Sequence, residues 1–223
     1  MHFHVVTLFP EVCKAYTDAS VLGRAQKTEK GKGAKVRGKK IMVSYYNPRD
    51  YAVDKHAKTD DRPYGGGPGM VMKAEPILRA VAKAVGKKKG VKIFIMSPRG
   101  KMFTQEMAKR LSKTKDIVLI SGRYEGIDAR VTKILKAEEI SVGEYVLTGG
   151  ELPALAMIDA IARNIPGVLG TLESLEDTRV STSEMYTRPE VFIWKKKKHE
   201  VPGVLLSGNH AELETWRSER SGT

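Results

Sequence analysis

Four stretches of this 223-residue chain set glycine or proline beside groups that carry charge or move protons. They are DDRPYGGGPGM at 60–70, SPRG at 97–100, SGRYEGID at 121–128 and SVGEYVLTGGELPA at 141–154. Glycine lets another molecule approach the main chain and permits φ > 0, and proline stiffens the same stretch. Any one of the four alone reads as a turn. Together they read as loops whose amides face a common ligand. Two phosphate-binding patterns are absent: no G-x-G-x-x-G follows the first apolar run, and GGGPGM lacks a following Lys-Ser/Thr. The five histidines, His2, His4, His56, His199 and His210, show no metal-finger spacing, so no structural metal site is expected.

Apolar runs precede three of these stretches and predict the strands that position them. HFHVVTLF at 2–9, residues 41–45, VKIFIM at 91–96, IVLIS at 117–121 and residues 138–142 read as strands. Helices are expected over 10–27, with a break near Gly23, and from Glu75-Pro76 to Gly86, with Leu78, Val81, Ala82 and Val85 on one face. Thr104 reads as an N-cap with Met107 and Leu111 facing inward. A helix over 128–136 and a long apolar one with Pro153 near its start, reaching Asn164, complete the set. This alternation predicts an α/β fold with a largely parallel sheet, where ligands bind beyond the carboxyl ends of strands. After Gly170 the pattern changes. Residues 171–187 lack apolar period and read as a linker, and 188–223 look too small for an independent core.

Lys and Arg number 39 against 26 acids, a net charge of +13. The charge is clustered, in KTEKGKGAKVRGKK at 27–40, KKK at 87–89 and KKKK at 195–198. Clustering suits a polyanion such as nucleic acid better than an even coat would. The basic stretch 28–40 reads as a hairpin tip or loop. No apolar run is long enough to span a membrane, and no signal peptide is recognisable at the start. A single cysteine, Cys13, allows no internal disulfide, so the cytoplasm is the expected compartment.

DDRPYGGGPGM, GRYEGID, SVGEYVLTGGELPA, IPGVLG, YTRPE and VLLSGNHAE, in this order, resemble the bacterial tRNA (guanine-N1)-methyltransferase family, of the SPOUT class of S-adenosylmethionine-dependent RNA methyltransferases. The resemblance covers essentially the whole chain. It implies a mostly parallel sheet with helices on both faces and a deep trefoil knot in a domain over 1–170. A flexible linker over 171–187 and a short tRNA-binding segment over 188–223 would follow. The family usually continues into a helical domain that grips tRNA, and most of that domain is expected to be missing here. The lysine-rich stretches 28–40 and 195–198 are expected to replace part of its grip. The product would be a methyl group on N1 of the guanosine 3′-adjacent to the anticodon, position 37. The resemblance further implies S-adenosylmethionine as donor, Mg2+ as a further cofactor with ligands unassigned, and a homodimer with active sites between subunits.

Residue by residue, the resemblance makes Asp177 in LESLEDTR the general base, Arg163 the group facing guanine O6, and Glu125 an acid near the donor and the target base. Arg163 also suits a helix end and an ion pair with Asp159, and Glu125 a helix start. The donor would be held by Ser97, Pro98, Gly122, Tyr124, Val142, Gly143, Glu144, Tyr145, Val146, Leu147, Gly149, Gly150 and Pro153, although Tyr145 suits a core position equally. Asp61, Arg62, Gly67, Pro68 and Gly69 would face the substrate or the donor, with Asp60, Asp61 and Arg62 either reading base edges or anchoring the loop. Two other readings stay open: a SPOUT enzyme acting on ribosomal RNA or another tRNA site, and a non-catalytic RNA-binding homologue.

Overall fold

The apolar run at the start of the chain becomes the interior of a sheet. In this computed structural model, which describes residues 1–30, 36–169 and 184–220, Phe3, Val5 and Val6 of strand β1 (His2–Val6) are fully buried. The other strands are β2 (Met42–Tyr46), β3 (Lys92–Met102), β4 (Asp116–Ser121) and β5 (Glu138–Ser141). They form one sheet in the order β2-β1-β4-β3-β5, and every pairing is parallel. The carboxyl ends of β3, β4 and β5 therefore share an edge, so the loops after them emerge side by side.

Helices cover both faces, as expected. The helices are α1 (Pro10–Thr17), α2 (Ser20–Ala25), α3 (Ala74–Val85), α4 (Gln105–Leu111), α5 (Ala129–Leu135) and α6 (Glu151–Arg163). Because side chains alternate along a strand, β4 feeds two cores. Ile117 and Leu119 pack with α1, α2, α4 and α6 on one face; Val118 and Ile120 pack with α3 and α5 on the other. Each large side chain buried this way stabilises by roughly 1.5–3 kcal/mol. No helix among the described residues is long and apolar enough to cross a membrane.

Several local expectations change. The break in the first helical stretch falls at Asp18–Ala19, and Gly23 lies inside α2. A Cβ there would overlap the Asp18 carbonyl oxygen, so this glycine permits close packing of one helix on the end of the other. The buried stripe of α3 is Ile77, Ala80, Val81 and Ala84, and Ala82 is exposed. Pro76 is itself buried in the first turn. Thr104 caps α4 as expected, accepting from Met107 N at 3.2 Å. SPRG is a bulge within β3 and not a loop beyond it: Met96 and Lys101 both oppose Ile140, so residues 97–100 are extruded. Gly100 is needed there, because a Cβ would overlap the Glu139–Ile140 peptide.

Contacts divide the chain into two units, Met1–Gly170 and Thr171–Thr223. Within the second, strands β6 (Val191–Trp194) and β7 (Lys197–Glu200) form an antiparallel hairpin that the sequence reading missed, and helix α7 (His210–Arg220) follows. Lys195 and Lys196 make the hairpin turn at φ of 49° and 64°. That conformation normally selects Asn-Gly, which is why no turn signal was visible. The described residues of this unit include none that is buried. Residues 36–37 pair antiparallel with 29–30, so the basic stretch closes as a hairpin.

Cys13 lies fully buried in α1, and burial with the nearby Glu151 charge pushes its thiol up to about 12. At the amino edge of the sheet, burial lowers the pKa of both His4 and His2, the latter to about 4 with help from the adjacent His4.

Candidate active site

The extruded and looped segments at the carboxyl edge enclose a cavity of about 360 Å³. Pockets for small ligands start near this size. The bulge of β3 contributes Ser97 and Pro98, and the loop after β4 contributes Gly122, Tyr124 and Glu125. Val142, Gly143, Tyr145, Val146 and Leu147 come from the loop after β5, and Gly149, Gly150 and Pro153 from the start of α6. Tyr145 is therefore a wall and not core. Glu144 is exposed and does not line the cavity. Three separate chain segments thus meet where the strand order brings them.

Main chain forms much of this wall. Gly150 N donates to Gly122 O at 2.9 Å, tying the two glycine loops together. A Cβ at Gly150 would stand 2.6 Å from Ser121 Cα, so no larger residue fits without backbone movement. Tyr124 holds φ of 59°, uncommon for a bulky residue and typical of strain kept at functional loops. Ser121 Oγ is buried at the end of β4 with no hydrogen-bond partner among the described residues. The cavity thus offers apolar walls with a few polar edges.

One ion pair braces these loops, and the sequence reading missed it. Glu151, only 2% exposed, opens α6, where the helix dipole favours an acid. Thr7 Oγ1 donates to its Oε1 at 2.7 Å. Arg123 Nη2 lies 2.9 Å from its Oε2, and Arg123 Nη1 donates to Thr148 O at 3.3 Å. The guanidinium also sits 4.5 Å from the centre of the Phe9 ring. The pair is close but poorly aligned, since Arg123 Nε and Glu151 Oε2 satisfy no hydrogen-bond geometry. Gly149 leaves room for it: a Cβ would stand 2.6 Å from Glu151 Oε2 and overlap Arg123 Nε. Oppositely charged residues in two adjacent glycine-rich loops were the available signal.

The stretch 60–70 joins the site through Glu125. Residues 60–61 pair antiparallel with 71–72, so 62–70 form the loop of a small hairpin. Glu125 N donates to Met70 O at 3.0 Å, Met72 N to Gly126 O at 2.9 Å and Asp128 N to Met72 O at 3.0 Å. A Cβ at Gly69 would stand 2.6 Å from the Glu125 carboxylate, so Gly69 lies directly against it. Gly65, Gly66, Gly67 and Gly69 all have φ between 78° and 115°, which explains the glycine content. Asp61 is an anchor: its Oδ1 accepts from Arg62 N at 2.9 Å, and its Oδ2 lies 3.4 Å from Lys73 Nζ. Those contacts hold its carboxyl below the usual range, the Arg62 amide foremost. Arg62, Gly67 and Pro68 are exposed, and none of the loop lines the cavity itself.

Arg163 is the last residue of α6. Twelve residues of helix separate it from Glu151, about 18 Å at 1.5 Å per residue. Asp159, the expected partner on that helix, accepts a hydrogen bond from Tyr16. Asp177 lies outside the described residues. The only described group of three His, Cys, Asp or Glu residues with converging ligand atoms is His2, His4 and Asp116, at the other edge of the sheet. Its nitrogen-rich donors do not fit magnesium, which prefers oxygen.

The family model described as tRNA (Guanine-1)-methyltransferase TrmD matches residues 1–223. The chain is 45% identical to a tRNA (guanine-N(1)-)-methyltransferase of Pseudoalteromonas atlantica, over 98% of this chain and 79% of the relative. A protein of the same name in Ruminiclostridium cellulolyticum is 46% identical over 99% of this chain and 91% of its own length. For that of Clostridioides difficile the identity is 45%, over 99% and 92%. With its whole length matched and its glycine-built cavity drawn from the shared motifs, the chain belongs to the tRNA (guanine-1)-methyltransferase family.

Proposed function

We propose that this chain transfers a methyl group from S-adenosylmethionine to N1 of the guanosine 3′-adjacent to the anticodon, position 37, of tRNA. The observation that carries the reading is near-complete alignment, at 45% identity, with proteins named for guanine-N1 methylation of tRNA. The cavity fits the donor. Its apolar walls and the glycine-rich segments around Gly122, Gly143, Gly149 and Gly150 suit an adenine ring. Once bound there, the donor supplies a methyl carbon already activated on a sulfonium. A trefoil knot at this edge, with β3 lying between β4 and β5, belongs to the same reading.

The difficult partner is guanine, whose N1 is protonated at neutral pH. Asp177 takes that proton, and the freed N1 lone pair forms the new bond to carbon as the carbon–sulfur bond breaks. A general base typically contributes 10²–10⁴-fold. Arg163 meets the negative charge that develops on O6, a contribution of ~3–4 kcal/mol for one well-aimed donor. Glu125, backed by Gly69, holds the base edge against the donor pocket. Orientation of this kind can supply ~7–11 kcal/mol.

The position of Arg163 supports a homodimer. Some 18 Å of helix lie between it and the cavity loops, so Arg163 and its own chain's cavity serve different active sites. Exposed Val146 and Leu152 beside the cavity suit coverage by a second copy. The linker carrying Asp177, the segment 188–223 and the lysines at 195–198 complete the reading, gripping the tRNA backbone by charge. Work on tRNA sets the cytoplasm as its place. The role of Mg2+ stays outside these steps.

The test is methyl transfer to a tRNA transcript carrying G, and to one carrying A, beside the anticodon. Methylation of N1 in the G transcript alone is expected, with Asp177→Ala reduced 10²–10⁴-fold. Equal labelling of both transcripts, or full activity in Asp177→Ala, overturns the assignment.

A further inference from the structure

The amino edge of the sheet, opposite the cavity, gathers three residues able to ligate a metal. His2 and His4 stand two apart on β1 and so share a face. Asp116, the first residue of β4, lies beside His2 in the parallel register. Its Oδ1 is 3.0 Å from His4 Nε2 and 4.0 Å from His2 Nδ1. All three ligand atoms lie within 4.8 Å of one another. A tetrahedral ion with bonds of about 2.0–2.1 Å holds its ligand atoms roughly 3.4 Å apart, so small side-chain adjustments complete the set.

The remaining ring nitrogens are held by β2. His2 Nε2 is 2.8 Å from Ser44 Oγ, and His4 Nδ1 is 3.2 Å from Tyr46 Oη. Each imidazole thus turns one nitrogen toward a shared point and fixes the other on a hydroxyl. Metal-binding histidines are oriented in this way, because the outer hydrogen bond selects the tautomer and aims the lone pair. A simple hydrogen-bond network would leave this arrangement incomplete. Asp116 satisfies His4, but no hydrogen bond reaches His2 Nδ1 among the described residues. His4 is fully buried, while His2 and Asp116 keep 18% and 20% of their side chains exposed, which leaves a way in.

We propose that His2, His4 and Asp116 bind one divalent transition ion of the zinc class per chain, through two imidazole nitrogens and one carboxylate oxygen. Borderline-soft ions prefer such donors; magnesium and calcium do not. The fourth position faces the partly exposed side and is open to water. Asp116 favours the cation, and the charges of Lys88 and the amino terminus oppose it. The Lys88 ammonium donates to Ala84 O at 2.9 Å. The ion joins β1 to β4, the central pair of the sheet, so it acts as a staple on the fold and not on methyl transfer.

The experiment uses the full metal-stripped chain with its native amino terminus, titrated with Zn2+ against a chromogenic chelator and separately with Co2+. Saturation at one equivalent, visible Co2+ bands of a four-coordinate site and a raised Tm are expected. His2→Gln and Asp116→Asn should each weaken binding by more than the roughly 10–100-fold that losing an outer hydrogen-bond partner costs. His56→Ala, His199→Ala and His210→Ala should bind like the parent chain. Absence of saturable binding overturns the proposal. So does parental affinity in His2→Gln, which decides alone should Asp116→Asn fail to fold. Binding of S-adenosylmethionine, read by calorimetry, should be the same with and without the ion.

Discussion

At the carboxyl edge of the sheet the chain is built on glycine and offers main chain; at the amino edge the strands themselves offer side chains. Around the cavity, Gly149 and Gly150 matter because a Cβ would overlap atoms already in place. At the other edge His2, His4 and Asp116 bring side-chain nitrogen and oxygen atoms within 4.8 Å of one another. The first kind of site needs three separate segments in register before it exists. The second needs only two adjacent strands. A substitution at the carboxyl edge should therefore spread through the loops, and one at the amino edge should stay local.

The largest effect expected at the carboxyl edge comes from its ion pair. Arg123→Ala strands the buried Glu151 carboxylate without its cation, a loss of about 3–5 kcal/mol. Urea unfolding measures it, and a loss below about 1 kcal/mol would mean the poorly aligned pair is not what braces the loops. Next comes Gly150→Ala, whose Cβ would stand 2.6 Å from Ser121 Cα and 2.9 Å from Gly122 N. The forced shift should cost roughly 1–3 kcal/mol and weaken S-adenosylmethionine binding, while His2→Gln leaves that binding unchanged. Equal effects on donor binding from both variants would break the division between the edges.

The smallest expected effect is at the end of the loop after β4, where it enters α5. Asp128 caps α5 by accepting from Arg130 N at 2.9 Å. Asp128→Ala should cost about 1 kcal/mol by chemical unfolding. Its carboxyl is held below the usual range, chiefly by the hydrogen bond from the Arg130 side chain. A depressed folded pKa means this contribution is present above the unfolded value of about 3.9 and lost as pH falls through the folded one. The parent chain and the variant should therefore converge in stability in acid.

The fold and the pocket walls were largely readable before any coordinates. Strands β3 and β4 announce themselves as apolar runs ending in glycine motifs, and the parallel order puts those motifs together. What stayed hidden has physical reasons. The α3 face was read in part: Val81 is buried and Leu78 and Val85 pack against the core, but Ile77, Ala80 and Ala84 are the deeper positions and Ala82 is exposed. The hairpin at 191–200 turns on two lysines, which carry no turn signature. Arg123 and Glu151 are 28 residues apart, and His4 and Asp116 are 112 apart, so only the tertiary register joins them. The cluster of His2, His4 and Asp116 was equally invisible, because two residues on one strand and a third from its neighbour leave no spacing pattern in the sequence.

Cys13 has a practical consequence. Its sulfur is shut inside α1 packing, and its thiol holds its proton far above neutral pH, so alkylating reagents find essentially no thiolate. Buried and protonated, Cys13 is expected to leave the chain a nearly thiol-free background for labelling, which titration of the folded chain with a thiol reagent would check. Tyr64→Cys, at a fully exposed loop tip, would carry the sole reactive sulfur and accept a fluorophore or spin label. Movement of that tip when RNA arrives could then be followed in real time without first removing the native cysteine.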